Sequence, residues 1–219
     1  MDMKKEERFE KVLSYFREHN PDAQTELKYK SPYELAVAVV LSAQCTDKRV
    51  NMITPDFFRV FPGLTELAQA DSQAVFGLIK SCSYPNNKTR NLIAMAQTVL
   101  QQFGGNFPEE VTELQKIPGI GRKTANVLAS VLFNKPALAV DTHVFRVAAR
   151  IGLTTRAKNP LQSENQLIKY IPENQRSVAH HWLILHGRYV CMARNPKCAS
   201  CGLANYCKYF LTKFKGRIC

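Results

Sequence analysis

Two groups of residues in this chain have types and spacings that could do chemistry: a lysine with an aspartate, and a set of cysteines. Lys123 and Asp141 stand eighteen residues apart within LQKIPGIGRKTANVLASVLFNKPALAVDTHVFR, residues 114–146. An amine can attack an electrophilic carbon and hold it as a Schiff base, while a carboxylate can stabilise a neighbouring cation and shuttle protons. The amine must be unprotonated to attack, and a helix start beside other cations disfavours an ammonium. Each residue alone has a plainer reading, Lys123 as a phosphate contact and Asp141 as the N-cap before Thr142.

The cysteines are Cys191, Cys198, Cys201 and Cys207, with six, two and five residues between them. Ordered thiol spacing in a chain without secretory features points to metal more than to disulfides. Zinc ribbons use two close C-x-x-C pairs, whereas here one pair is flanked by two isolated cysteines. Four thiolates also suit a [4Fe-4S] cluster, and the spacing by itself leaves both metals open. The remaining Cys45, Cys82 and Cys219 read as small packing residues or incidental thiols.

The elements around Lys123 explain why it could be presented. An apolar segment stops at Ile117, Pro118 to Gly121 make a tight turn, and a helix with the stripe Val127, Leu128, Val131 and Leu132 begins at once. Gly119 and Gly121 can both adopt positive φ and bring backbone amides close to an incoming group where the new helix presents its N-terminus, a natural anion site. Arg122 and Lys123 stand directly behind it.

Charge supports an anionic partner. The 219 residues carry a formal net charge of +12, and after Glu173 no acid remains while eight lysines and arginines follow. Between Lys116 and Arg150 the only acid is Asp141, set among six basic residues. A polyanion would be drawn to both stretches. No apolar run reaches the ~18–20 residues of a membrane span, and MDMKKEERFEK starts like an amphipathic helix. A cytoplasmic protein, nucleoid-associated in a bacterium, monomeric and without membrane contact, is expected.

The rest of the chain reads as helices. Residues 4–19 form an amphipathic helix with a solvated charged face; Ser31-Pro32-Tyr33-Glu34 caps an all-round apolar helix that must be buried; Asp47 caps the next. Short helices follow near 64–69 and 72–80, then SCSYPNNK reads as an exposed turn before a helix over 87–103. Further helices are predicted over 142–150, about 160–170 and about 175–189. No strand pattern appears, so the fold class is all-α, in two helical domains: residues 24–135, and residues 1–23 joined to 136–219.

IPGIGRKTANV followed by VDTHVFRV, together with LSAQCTD near position 44 and the C-x6-C-x2-C-x5-C run, resembles the endonuclease III family of DNA repair glycosylases over nearly the whole chain. The resemblance implies a helix-hairpin-helix motif at Gly119–Gly121 that holds a DNA phosphate, and a [4Fe-4S] cluster on the four cysteines whose loop turns Arg194 and Lys197 to the DNA. It implies Lys123 as nucleophile and Asp141 as its carboxylate partner. Arg122, Thr124 and His143 become candidate contacts around the site. It further implies Gln44 as a residue inserted into the base stack. A second wedge, typically leucine, falls here at Tyr84, a departure that an aromatic ring could serve by stacking.

The implied function is a bifunctional glycosylase and AP lyase that removes oxidised pyrimidines from double-stranded DNA and nicks 3′ to the lesion. Two other readings are an adenine-mismatch glycosylase, whose branch usually lacks the lysine, and a non-catalytic DNA-binding module, for which the Lys123–Asp141 pair would be superfluous.

Overall fold

The computed structural model describes residues 3–213; Lys215, Arg217 and Cys219 lie outside them. Among the described residues the chain is helical without strands. The helices are α1 (Lys5–His19), α2 (Pro32–Ser42), α3 (Asp47–Val60), α4 (Leu64–Ala68), α5 (Ser72–Ile79), α6 (Pro85–Phe103), α7 (Val111–Leu114), α8 (Arg122–Phe133), α9 (Thr142–Ile151), α10 (Pro160–Leu167), α11 (Arg176–Tyr189) and α12 (Lys208–Lys213). Single 3-10 turns occur at Glu173–Gln175, Cys198–Ser200 and Ala204–Tyr206. The all-α expectation holds.

The chain divides into two compact units, one of Glu26–Lys135 and one that joins the residues up to Thr25 with those from Pro136 onward. In the first, α2 is the central rod. Ser31 Oγ accepts from the Glu34 amide at 3.2 Å, the Glu34 carboxylate accepts from the Lys30 amide at 2.6 Å, and Pro32 fills the first helical position. These contacts satisfy the donors that a helix start leaves open. Every residue from Leu35 to Leu41 is buried, because α3, α6 and α8 all pack on this helix. An amphipathic helix could not occupy that position; the uniformly apolar ELAVAVVL can.

The second unit closes a non-local core. Phe9, Val12, Leu13 and Phe16 of α1 join Val144, Val147 and Ile151 of α9 and Trp182 and Leu183 of α11 in one buried cluster. Phe16 stacks on Trp182 with ring centroids 5.7 Å apart, and the Trp182 indole N–H donates to the Asn20 carbonyl at 2.6 Å. That single bond spans 162 residues and fixes where α1 ends against α11. Gly187 permits the close approach of α9 and α11, since a Cβ there would come within 2.9 Å of His143 Cβ.

The local structure departs from the sequence reading at several places. Thr46, not Asp47, caps α3, its hydroxyl accepting from the Arg49 amide at 3.2 Å; Asp47 is the first helical residue. Both residue types cap well, and the one with extended backbone takes the role. SCSYPNNK is only partly a turn, because Pro85 opens α6 and its Asn-Asn belongs to the first helical turn. Proline fits a helix start as readily as a turn. The charged face of α1 is not wholly solvated either: Arg8 is buried and its Nε donates to the Tyr206 carbonyl at 3.0 Å.

Phe16→Ala is expected to lower stability by about 3–5 kcal/mol, seen as a lower urea midpoint for the wild-type fold.

Candidate active site and metal centre

The hairpin that presents Lys123 is anchored from beneath. Ile117 and Ile120 are buried, the Ile120 amide bonds the Ile117 carbonyl at 3.1 Å, and Leu114 of the one-turn α7 is fully covered. Only one of the two glycines uses positive φ. Gly119 sits at φ +81°, where a Cβ would also come within 2.9 Å of Asn91 Cβ on α6. Gly121 has an ordinary extended backbone, φ −79° and ψ 176°. It is the N-cap of α8, and no side chain caps that helix. A bare N-terminus with an exposed glycine before it suits an anion brought from outside the chain.

Arg122 and Lys123 are exposed on the first turn of α8, and Thr124 is half-buried behind them. In the other unit, Asp141 starts α9. Its Oδ1 accepts from the amides of His143 and Val144, both at 2.8 Å, while Oδ2 faces His143 Nδ1 at 3.3 Å. Its side chain is 13 % exposed. The plain capping reading is therefore correct as geometry. One carboxylate oxygen is committed to the cap, and the carboxylate is held in one orientation by three contacts. A rigidly held anion of that kind suits stabilisation of a developing cation.

Gln44 and Tyr84, the two expected wedges, are exposed residues with left-handed backbones, φ 53° and φ 56°. They are neighbours in the first unit, since the Ser83 hydroxyl donates to the Gln44 carbonyl at 2.6 Å.

Cys191, Cys198, Cys201 and Cys207 line one pocket, with Ile151, Leu203 and Phe210 among its apolar walls. All four thiols are free, and among the described residues no three His, Cys, Asp or Glu side chains converge enough to share a single ion. A mononuclear zinc draws its ligands to about 2.3 Å from one point. Thiols around one pocket but not around one point fit a larger polynuclear group. Burial pushes the Cys201 thiol up to about 11 and raises Cys198 and Cys207 too, so these three thiolates would need a bound cationic group beside them.

The loop is strapped to α9. Arg150 donates to the carbonyls of Met192 at 2.7 Å and Ala193 at 3.0 Å and to Cys191 Sγ at 3.5 Å; Arg146 donates to the carbonyls of Cys191 at 3.2 Å and Gly187 at 2.9 Å. Two of the six cations read as attractive to a polyanion thus brace the cysteine loop. Nothing in the sequence distinguishes them, because their partners are carbonyls. Arg194 and Lys197 are exposed on that loop.

Comparison with known proteins places this arrangement in a class. The model of the HhH-GPD superfamily of base excision DNA repair proteins matches residues 37–173, and that of the iron-sulfur binding domain of endonuclease III matches residues 191–207. Endonuclease III of Rickettsia felis is 44% identical over 91% of this chain and 93% of its own length; that of Escherichia coli K12 is 42% identical over 94% and 97%. A solved structure described as a trapped endonuclease III–DNA covalent intermediate superposes with a TM-score of 0.91 at 38% identity, over 96% of this chain and 99% of that one. The chain belongs to the endonuclease III family. It is a base excision repair enzyme, a DNA glycosylase and AP lyase, and carries a [4Fe-4S] cluster.

Asparagine caps as well as aspartate, so Asp141→Asn should keep the wild-type urea midpoint, whereas Asp141→Ala should cost about 1 kcal/mol.

Proposed function

We propose that this enzyme excises oxidised pyrimidines from duplex DNA and then nicks the strand 3′ to the emptied sugar, with Lys123 as nucleophile. The observations that carry the reading are an exposed amine on the uncapped N-terminus of α8 in one unit and a sheltered, fixed carboxylate at the start of α9 in the other. Breaking an N-glycosidic bond places positive charge on the sugar. The Asp141 carboxylate stabilises that charge while the Lys123 amine nitrogen bonds to C1′ and the base departs with its electron pair. Loss of the amine proton and opening of the sugar give the Schiff base. Removal of a C2′ proton then expels the 3′ phosphate, and water releases the amine. A covalent DNA intermediate is named for the superposing endonuclease III, which supports the same course here.

The remaining residues divide by task. The hairpin at Gly119 and Gly121, with Arg122 and Thr124, receives a backbone phosphate. Gln44 and Tyr84 enter the base stack vacated by the lesion, a step the enzyme needs because the sugar is unreachable inside a duplex. Cys191, Cys198, Cys201 and Cys207 hold the cluster, which supplies a rigid core to a loop otherwise made of turns. Arg194 and Lys197 on that loop contact the backbone, with His143 near the Asp141 carboxylate. The protein acts as a monomer on bacterial DNA in the cytoplasm.

On a duplex carrying thymine glycol, the wild type should release the base and leave a strand nicked by β-elimination. Lys123→Ala should lose the nicking on the order of 10³-fold or more while still binding DNA. Base release without a nick by the wild type, or adenine excised from a mismatch in its place, would overturn the assignment in favour of a monofunctional enzyme.

A further inference from the structure

The feature the mechanism leaves unused is a buried ammonium. Lys88 on α6 is 4 % exposed, yet among the described residues no carboxylate pairs with it. Its Nζ donates to the carbonyls of Leu41 and Ala43, each at 2.8 Å. Those carbonyls belong to the last turn and C-cap of α2, a helix with no basic residue in its own final turn. A helix C-terminus presents unpaired carbonyls and partial negative charge, and a cation placed there satisfies both. Here the cation comes from another helix, six residues after the break that carries Cys82.

Two more contacts tie the same segments. The Ser83 hydroxyl donates to the Gln44 carbonyl at 2.6 Å, and the buried Cys82 thiol lies beside the Cys45 side chain. The segment Cys82–Lys88 therefore grips Leu41–Cys45 at three points. Within the grip are the two exposed residues Gln44 and Tyr84, both non-glycine and both left-handed, at φ 53° and φ 56°. Such backbones persist only where surrounding contacts over-determine them.

We propose that Lys88 and Ser83 are positioning residues that lock Gln44 and Tyr84 into one rigid two-pronged wedge for the DNA stack. The proposal rests on the reading of Gln44 and Tyr84 as inserted residues. Lys88 fixes where α2 ends and so where Gln44 begins; Ser83 fixes the Gln44 carbonyl from the residue next to Tyr84. Neither touches DNA. They act through the prongs, which enter a gap already spaced to fit them and lose no backbone freedom on entering. A flexible pair would have to be ordered at each encounter, at a cost to the flipping step.

The test is single-turnover excision from a thymine glycol duplex, read together with the fluorescence of a 2-aminopurine placed beside the lesion, which brightens when the stack is opened. Misplacement by about 1 Å can cost on the order of 100-fold, so Lys88→Met and the gentler Ser83→Ala should lower the excision rate constant by about 10-fold or more and shrink the fluorescence step. Affinity for undamaged duplex and the rate of borohydride trapping on a preformed abasic site, where no base needs extruding, should stay as in the wild type. Lys88→Arg, which keeps the donors, should recover part of the loss. Combining Lys88→Met with Gln44→Ala should lose little beyond Gln44→Ala alone.

If Gln44→Ala slows excision while Ser83→Ala and Lys88→Met behave as the wild type, the lock is overturned and the insertion reading survives. If Gln44→Ala and Tyr84→Ala themselves change neither readout, the insertion reading falls and the lock with it. Should Lys88→Met fail to fold, Ser83→Ala decides.

Discussion

A helix N-terminus must find acceptors for its first amides, and the structure depends on how two helices meet that demand. α9 satisfies its own through Asp141, whose carboxylate takes two amides at 2.8 Å and is thereby frozen in place. α8 begins at Gly121 without any side-chain cap. One start is closed and holds a negative charge; the other is open and calls for one. Under the proposed mechanism a phosphate gripped beside a nucleophile would use the open start and a sugar cation faced by a carboxylate the closed one, and the same capping physics yields each.

Around these starts the fold supplies stiffness. The all-apolar α2 gives one unit a central rod, and the long-range Trp182–Asn20 bond together with the α1–α11 stacking gives the other a core whose parts lie far apart in sequence. The cysteine loop has little apolar material of its own beyond Leu203, which is why it relies on Arg8, Arg146 and Arg150 donating to its carbonyls and on a bound cluster. Cations in this protein thus serve two ends: some face outward to a polyanion, while others are turned inward to brace backbone.

That division shows where sequence reasoning reaches and where it stops. Most helices and their bounds were legible because apolar spacing at 3.6 residues is a direct record of burial, as in α1, α8 and α9, whereas the short α12 was not. The caps at Ser31 and Asp141 were legible because side-chain oxygen before a helix has one common use. Thr46 was not, since Asp47 next to it is an equal candidate until backbone angles decide. The inward cations Arg8, Lys88, Arg146 and Arg150 left no trace at all, because a carbonyl acceptor is present at every residue and has no sequence signature. Which of the two hairpin glycines uses positive φ was not legible either, since glycine permits that conformation without requiring it.

The central claim is that the amine of Lys123, and no other, bonds to the sugar. Borohydride reduction of the wild type on a thymine glycol duplex, followed by digestion and mass spectrometry of the cross-linked peptide, reads that bond directly. The account predicts the deoxyribose remnant on the peptide containing Gly121-Arg122-Lys123-Thr124, at Lys123. A remnant on any other lysine or on the N-terminal amine would contradict it.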